Sequence, residues 1–173
     1  MGDTTDARPL QPLLMAAWGM GLVAIDLNIN GLDLVPDPIG WALALMAALR
    51  LTSRHAGFRW AAGAAALALL VSLPSWMGAS GALLSVAGYV ASTGFVFAVC
   101  TALIALVPDR AAGAQTIRWA DVALTVLVPL IAWTAGPGST LAVVLLVLAG
   151  LTVFVCFIVL MVRSSGDPVV PVG

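Results

Sequence analysis

Long apolar runs separated by short polar linkers make up this chain of 173 residues. The run from Leu141 to Val162 contains no charged residue, and roughly 20 apolar residues are enough to cross the hydrocarbon of a bilayer. The runs are continuous rather than alternating, which indicates helices and not the strands of a membrane barrel. The sequence therefore predicts an all-α protein, a polytopic transmembrane helix bundle.

Prolines, glycines and polar residues divide the apolar sequence into six predicted spans. They form one domain, residues 1–163, and a disordered cytoplasmic tail is expected at 164–173. The first span should end before Gly31, and the second should begin with Asp37 as N-cap and Pro38 as its first helical residue. The predicted spans are 10–30, 38–52, 60–76, 82–107, 117–135 and 141–162.

The arginines all fall on one side of the membrane if the N-terminus is cytoplasmic. The chain has no lysine, and its basic residues are Arg8, Arg50, Arg54, Arg59, Arg110, Arg118 and Arg163. Basic residues concentrate in cytoplasmic loops, so this distribution predicts that both the N and C termini are cytoplasmic. Arginine without lysine in an alanine-rich chain indicates a GC-rich bacterial genome, and the expected location is the bacterial plasma membrane, crossed several times.

Composition narrows the classes of function. Hydrophobic residues make up 62% of the chain and charged residues 9%, whereas soluble domains carry about 25% charged residues. The net charge is −1 and no basic patch is present, so no nucleic-acid partner is expected. The expected partner is the lipid bilayer, and a homo-oligomer or a membrane partner protein is a further option.

Enzymatic signatures are missing from the sequence. It contains no pairing of a nucleophile with a base, no glycine-rich phosphate loop and no HExxH motif, so an enzyme is not expected. The two cysteines and the one histidine are far apart and form no metal-ligand pattern. No cofactor is predicted, and the cysteines and the histidine indicate no metal site.

The polar exception is the stretch from Asp26 to Asp37, which the arginine distribution places on the outer side. On a helix, Asp26, Asn30, Asp33 and Asp37 would share one face; in an extended chain, Asp26, Asn28 and Asn30 would share one side. Either arrangement converges oxygen ligands of the kind that hard cations prefer. Charges inside a span are costly and are functional suspects by default. The candidate polar site is therefore Asp26, Asn28, Asn30 and Asp33.

This stretch also resembles a signature of small uncharacterised bacterial multi-helix membrane proteins. The signature reads approximately D-x-N-I-N-G-x-D-x-x-P-D-x-I-G followed by an aromatic residue. It is matched here by Asp26, Asn28, Ile29, Asn30, Gly31, Asp33, Pro36, Asp37, Ile39, Gly40 and Trp41. The resemblance implies a polytopic membrane protein and carries no particular activity.

Two functions remain open. One is a small transporter-like or channel-like protein with an outer-side Asp/Asn cation or proton site. The other is a structural or accessory membrane subunit whose Asp-rich outer hairpin shapes the fold or binds a partner protein. The second is reasonable because aspartate, asparagine and glycine are also turn-forming residues.

Four smaller expectations concern individual side chains. An aromatic belt is expected at the membrane interfaces, formed by Trp41, Trp60, Trp76, Trp119 and Trp133. Trp18 lies in the middle of the first span and should pack between helices. His55 should be solvated or meet lipid headgroups, and Arg118 and Asp121, three residues apart, should form an ion pair.

Overall fold

Six α-helices dominate the described part of the chain in the computed structural model. The structure describes residues 10–24, 28–29, 32–33, 37–79, 81–134 and 140–167. The helices are α1 (Pro12–Ala24), α2 (Asp37–Leu51), α3 (Ala56–Trp76), α4 (Ala82–Leu106), α5 (Ala111–Thr134) and α6 (Thr140–Ser164). Two short strands, β1 (Asn28–Ile29) and β2 (Leu32–Asp33), lie between α1 and α2, and a 3₁₀ helix (Pro108–Arg110) precedes α5. The prediction of an all-α protein is confirmed.

Four helices, α3 to α6, are long and apolar enough to cross a membrane. The first two are shorter, since α1 has 13 residues and α2 has 15. At 1.5 Å per residue they rise about 20 and 22 Å, which is less than the roughly 30 Å of hydrocarbon in a bilayer. The structure thus supports four of the six predicted spans by length and composition.

Helix α1 ends at Ala24, well before the predicted end at Asn30. The prediction was wrong there because Asn28 and Ile29 adopt extended backbone and pair with β2. Two other helices begin earlier than predicted: α3 at Ala56 and α5 at Ala111. Polar residues in these two linkers continue the helix instead of interrupting it, because a helix satisfies its backbone groups within the segment.

The start of α3 has a specific cause in His55. Its Nδ1 atom accepts a hydrogen bond of 3.0 Å from the Gly57 backbone N–H, which is one of the donors that a helix N-terminus leaves without a helical partner. His55 is therefore the N-cap of α3 and not simply a solvated side chain.

Each helix packs against the next along the chain, and α6 returns to pack against α1. Phe95 of α4 occupies the centre of this arrangement. Its ring meets Trp41 of α2 at 5.8 Å and Phe157 of α6 at 6.2 Å, both edge to face. All three rings are buried, so side chains fill the middle of the bundle at this level.

Small residues allow the helices to approach closely. Helices α2, α3 and α4 carry many buried alanines: Ala44, Ala47, Ala48, Ala61, Ala62, Ala65, Ala68, Ala91, Ala98 and Ala102. The tightest approach joins α1 to α2, where a Cβ added at Gly19 would lie 2.5 Å from the Gly40 carbonyl oxygen. Packing by small residues is typical of helices that associate in lipid, where hydrophobicity does not drive the helices together.

The tryptophans only partly follow the expected belt. Trp60, Trp76 and Trp119 are exposed, as predicted. Trp41 is only 6% exposed and belongs to the core, whereas Trp18 is 69% exposed and does not pack between helices. The prediction was wrong for both residues, and the Trp133 side chain lies outside the described part.

The predicted tail begins with residues that the structure finds ordered. Helix α6 extends through Ser164, and Asp167 accepts a hydrogen bond of 3.0 Å from the Arg110 Nε atom. This ion pair ties the end of the described chain to the 3₁₀ helix before α5. Residues 168–173 lie outside the described part.

Candidate functional site

The structure describes two of the four predicted site residues, Asn28 and Asp33. Asn28 of β1 is the antiparallel partner of Asp33 of β2, and Ile29 is the partner of Leu32. Asp26 and Asn30 lie outside the described residues. The backbone at Asn28 and Asp33 is extended, so the predicted arrangement on one helical face does not apply to Asp33. The pairing brings these two positions opposite each other across the ladder.

A local sequence signal for this pairing was overlooked. The two residues between the strands are Asn30 and Gly31. Asn-Gly is the dipeptide most favoured in two-residue hairpin loops, because both positions of a type I′ turn need positive φ. The signal was obscured because the flanking strands have only two residues each.

Beside this stretch, a cleft lies at the end of the bundle where α2 and α4 begin and α3 ends. Its volume is about 360 Å³. Asp37, the last residue of the Asp-rich stretch, lines it together with residues of all three helices. We call it the serine cleft, because its other polar side chains are Ser72, Ser75 and Ser85.

The three serines present oxygen acceptors to this cleft. Each hydroxyl donates its hydrogen to a backbone carbonyl of its own helix, at 2.9 Å for Ser72 and 3.2 Å for Ser75 and Ser85. A hydroxyl has one donor and two acceptor lone pairs, so the hydroxyls with occupied donors can still accept. Asp37 adds a carboxylate. The polar lining therefore suits a cation or a proton-carrying donor better than an anion.

The serine cleft lies within reach of the predicted site along the chain. Asp33 ends β2 and Asp37 begins α2, four residues later. A chain of that length spans at most about 14 Å. Asp33 and the mouth of the cleft at Asp37 thus belong to one neighbourhood, although the serines come from α3 and α4 and could not be assigned to it from sequence.

A second polar cluster joins α4 to α5. The hydroxyls of Thr93 and Thr125 are 2.6 Å apart, and Asp121 of α5 lies close enough to Thr93 for the two side chains to interact electrostatically. Nearer the start of α5, Arg118 donates to the Thr101 hydroxyl at 3.1 Å. Both helices are among those long and apolar enough to cross a membrane, which makes these charges functional suspects.

Arg118 does not form the predicted ion pair. It donates to Gln115 at 2.7 Å and lies over the rings of Phe97 and Trp119, at 4.8 and 5.4 Å from their centroids. The ion pair found among the described residues is Arg110–Asp167. The buried atoms Arg118 Nε and Asp121 Oδ2 have no hydrogen-bond partner. Cation–π contacts and amide and hydroxyl acceptors take the place of the carboxylate.

The sequence holds a signal for this second cluster. Polar residues recur on one face of α5 at Gln115, Arg118, Asp121 and Thr125, spaced three or four apart. The prediction from sequence was an ion pair between Arg118 and Asp121 alone. Which helix this face meets is a tertiary fact, and the partner residues on α4 follow only from the packing of α4 against α5.

Among the described residues, no group of three or more His, Cys, Asp or Glu side chains could hold a metal ion.

Comparisons with protein-family models, with curated proteins and with solved structures found no match to this chain.

Proposed function

We propose that this chain is a small transporter-like protein of the bacterial plasma membrane that takes up a cation or proton at an outer-side Asp/Asn site. In this proposal six helices are embedded, α1 and α2 form a short hairpin, and both termini are cytoplasmic. The polar stretch Asp26 to Asp37 and the serine cleft then share the outer face. All the arginines lie on the opposite side or at its interface.

The observation that carries the proposal is the serine cleft. It is a cavity of about 360 Å³ whose polar side chains are a carboxylate and three hydroxyls with occupied donors. Oxygen acceptors of this kind bind hard cations. Asp26, Asn28, Asn30 and Asp33 would add further oxygen ligands from the stretch that leads to Asp37.

A transporter is favoured over an open channel because the middle of the bundle is filled. Trp41, Phe95 and Phe157 are buried against one another there. Trp41 also lines the serine cleft, so a bulky side chain lies between the cleft and the centre. Movement of an ion past this level requires a change of helix packing, as in alternating access.

The test is ion flux into proteoliposomes that contain the purified full-length chain. Pyranine would report protons, and fluorescent indicators would report Na⁺, K⁺, Mg²⁺ and Ca²⁺. Asp33→Asn and Asp37→Asn should each lower flux about tenfold or more, equivalent to about 1.4 kcal/mol of lost cation stabilisation. Asp109→Asn, at an exposed residue of the 3₁₀ helix, is the matched control. Flux unchanged in Asp26→Asn, Asp33→Asn and Asp37→Asn would refute the proposal.

The proposed orientation has its own test. Fluorescent protein fused after Gly173 should be fluorescent in bacterial cells, and alkaline phosphatase at the same place should be inactive. The reverse result would place the C-terminus outside and would remove the Asp-rich stretch from the outer face.

The alternative function is a structural or accessory membrane subunit. The pairing of β1 with β2 and the close approach of Gly19 to Gly40 favour it, because both features fix the shape of the connection between α1 and α2. Co-purification of one partner protein in fixed ratio, lost in Asp33→Asn or Asp37→Asn, would support this function. It would do so most clearly if no flux were measured.

A further inference from the structure

Trp18 has an exposed position that the proposed function does not explain. It lies in the middle of α1, yet its side chain is 69% exposed. It borders a surface groove between α1 and α2 of about 660 Å³, which we call the Trp18 groove. Sites for small molecules typically have volumes of about 300–1,000 Å³.

The Trp18 groove has one polar end and one apolar end. Gln11 and Arg50 lie at the polar end, where α1 begins and α2 ends, and Trp18 and Leu43 lie further along the same two helices. Each pair of residues along a helix is seven positions apart, which corresponds to about 10 Å of helix length. Among the residues that the structure describes, no acidic side chain lines the groove. The positive charge of Arg50 therefore lies at one end of a groove whose other described lining is mostly apolar.

We propose that the Trp18 groove binds an anionic phospholipid of the inner leaflet. The phosphate contacts the Arg50 guanidinium and the Gln11 amide, and an acyl chain lies along Leu14, Trp18 and Leu43. This inference rests on the membrane placement in the proposed function, which puts Arg50 at the cytoplasmic interface. Arginine side chains at that interface attract anionic lipids, and Arg54 follows in the turn after α2.

The other face of Trp18 supports a lipid with two chains. A second groove of about 230 Å³ runs between α1 and α6, lined by Leu14, Trp18, Ile158 and Val162 among others, and its lining is almost wholly apolar. Trp18 stands between the two grooves and lines both. A diacyl lipid can place one chain on each side of the indole, whereas a free phosphate ion would use only the Arg50 end.

Native mass spectrometry of the full-length chain tests the proposal. The protein would be equilibrated in detergent with equal amounts of phosphatidylglycerol and phosphatidylcholine. One phosphatidylglycerol should be retained in preference, and Arg50→Gln should lower that preference about fivefold, the effect of one arginine near an anionic surface. Trp18→Ala should lower retention of both lipids. Arg59→Gln is the matched control, because it removes an exposed arginine that does not line the groove.

Three outcomes would overturn the proposal. One is equal effects of Arg50→Gln and Arg59→Gln, which would mean that general surface charge holds the lipid. Another is unchanged lipid retention in a Trp18→Ala variant whose circular dichroism shows that it folds like the parent chain. The third is displacement of the lipid by inorganic phosphate alone. Flux in the Arg50→Gln variant separates this inference from the proposed function, since flux can survive when lipid retention is lost.

Discussion

Replacing Gly19 with alanine should separate α1 from α2. A Cβ at this position would lie 2.5 Å from the Gly40 carbonyl oxygen and 2.9 Å from the Leu43 Cβ, and ordinary contacts begin at 3.4 Å. The helices must therefore move apart by about 0.9 Å at their crossing, because the Gly40 carbonyl is backbone and cannot rotate away. Gaps of 0.5–1 Å lose about a quarter to a half of the dispersion attraction of each affected contact.

The expected size of the effect follows from two opposing terms. Overpacking of this kind costs about 1–3 kcal/mol, whereas replacing glycine by alanine within a helix contributes about 1 kcal/mol of helix propensity. Gly21 supplies the matched control in the same helix, since a Cβ there would meet nothing within 4 Å. Propensity cancels in the comparison, so Gly19→Ala should be less stable than Gly21→Ala by about 1–3 kcal/mol.

The assay is reversible unfolding of the purified chain in mixed micelles titrated with SDS, followed by far-ultraviolet circular dichroism. The free energy of unfolding would be compared among the parent chain, Gly19→Ala and Gly21→Ala. Equal values for the two variants, within about 0.5 kcal/mol, would refute the close approach of α1 to α2. A stabilised Gly19→Ala variant would refute it more strongly.

Three further predictions concern polar contacts. Arg110→Ala should lower the free energy of unfolding by at most about 1 kcal/mol, because the Arg110 and Asp167 side chains are 35% and 26% exposed. Added salt should reduce this loss of stability. A loss that does not depend on salt would contradict an ion pair at this position. Thr93→Val, Thr125→Val and the double variant form a double-mutant cycle, and SDS unfolding should give a coupling energy of about 0.6 kcal/mol between the two positions. If the two single losses of stability add up to the loss in the double variant, the 2.6 Å contact is not stabilising. His55→Ala should lower the free energy of unfolding by about 0.5–2 kcal/mol, whereas His55→Asn should keep most of the stability because asparagine also caps helices. Equal losses of stability in the two variants, measured by thermal unfolding, would rule out His55 as the N-cap of α3.

The Asp-rich stretch shows how far a candidate site can be predicted from sequence. Its polar residues are conspicuous between two apolar runs, and Asp37, which is not one of the four predicted site residues, lines a polar cleft. The serines that complete the cleft come from α3 and α4. Serine is common in packed helices, so Ser72, Ser75 and Ser85 carried no signal until the helix ends were brought together.

The sequence by itself determined the helical class and the four long helices. Long apolar runs without period-two alternation fix both, because a helix satisfies its backbone hydrogen bonds within one segment. The early end of α1 depended instead on pairing between Asn28 and Asp33, which is a contact between segments. Hydrogen bonds that cross from one segment to another are not visible in the length of an apolar run.

Only the tertiary structure decided which side of each helix faces the core. Helix α1 is apolar on every face, so the pattern of residues gives no direction for burial. In the structure Trp41 of α2 packs inward against Phe95. Trp18 of α1 faces outward and lines the groove that Arg50 also lines. In a water-soluble helix the polar face would have fixed these directions. Here the close fit of Gly19 to Gly40 sets the rotation of α1 and α2, and a fit between two surfaces exists only when both are in place.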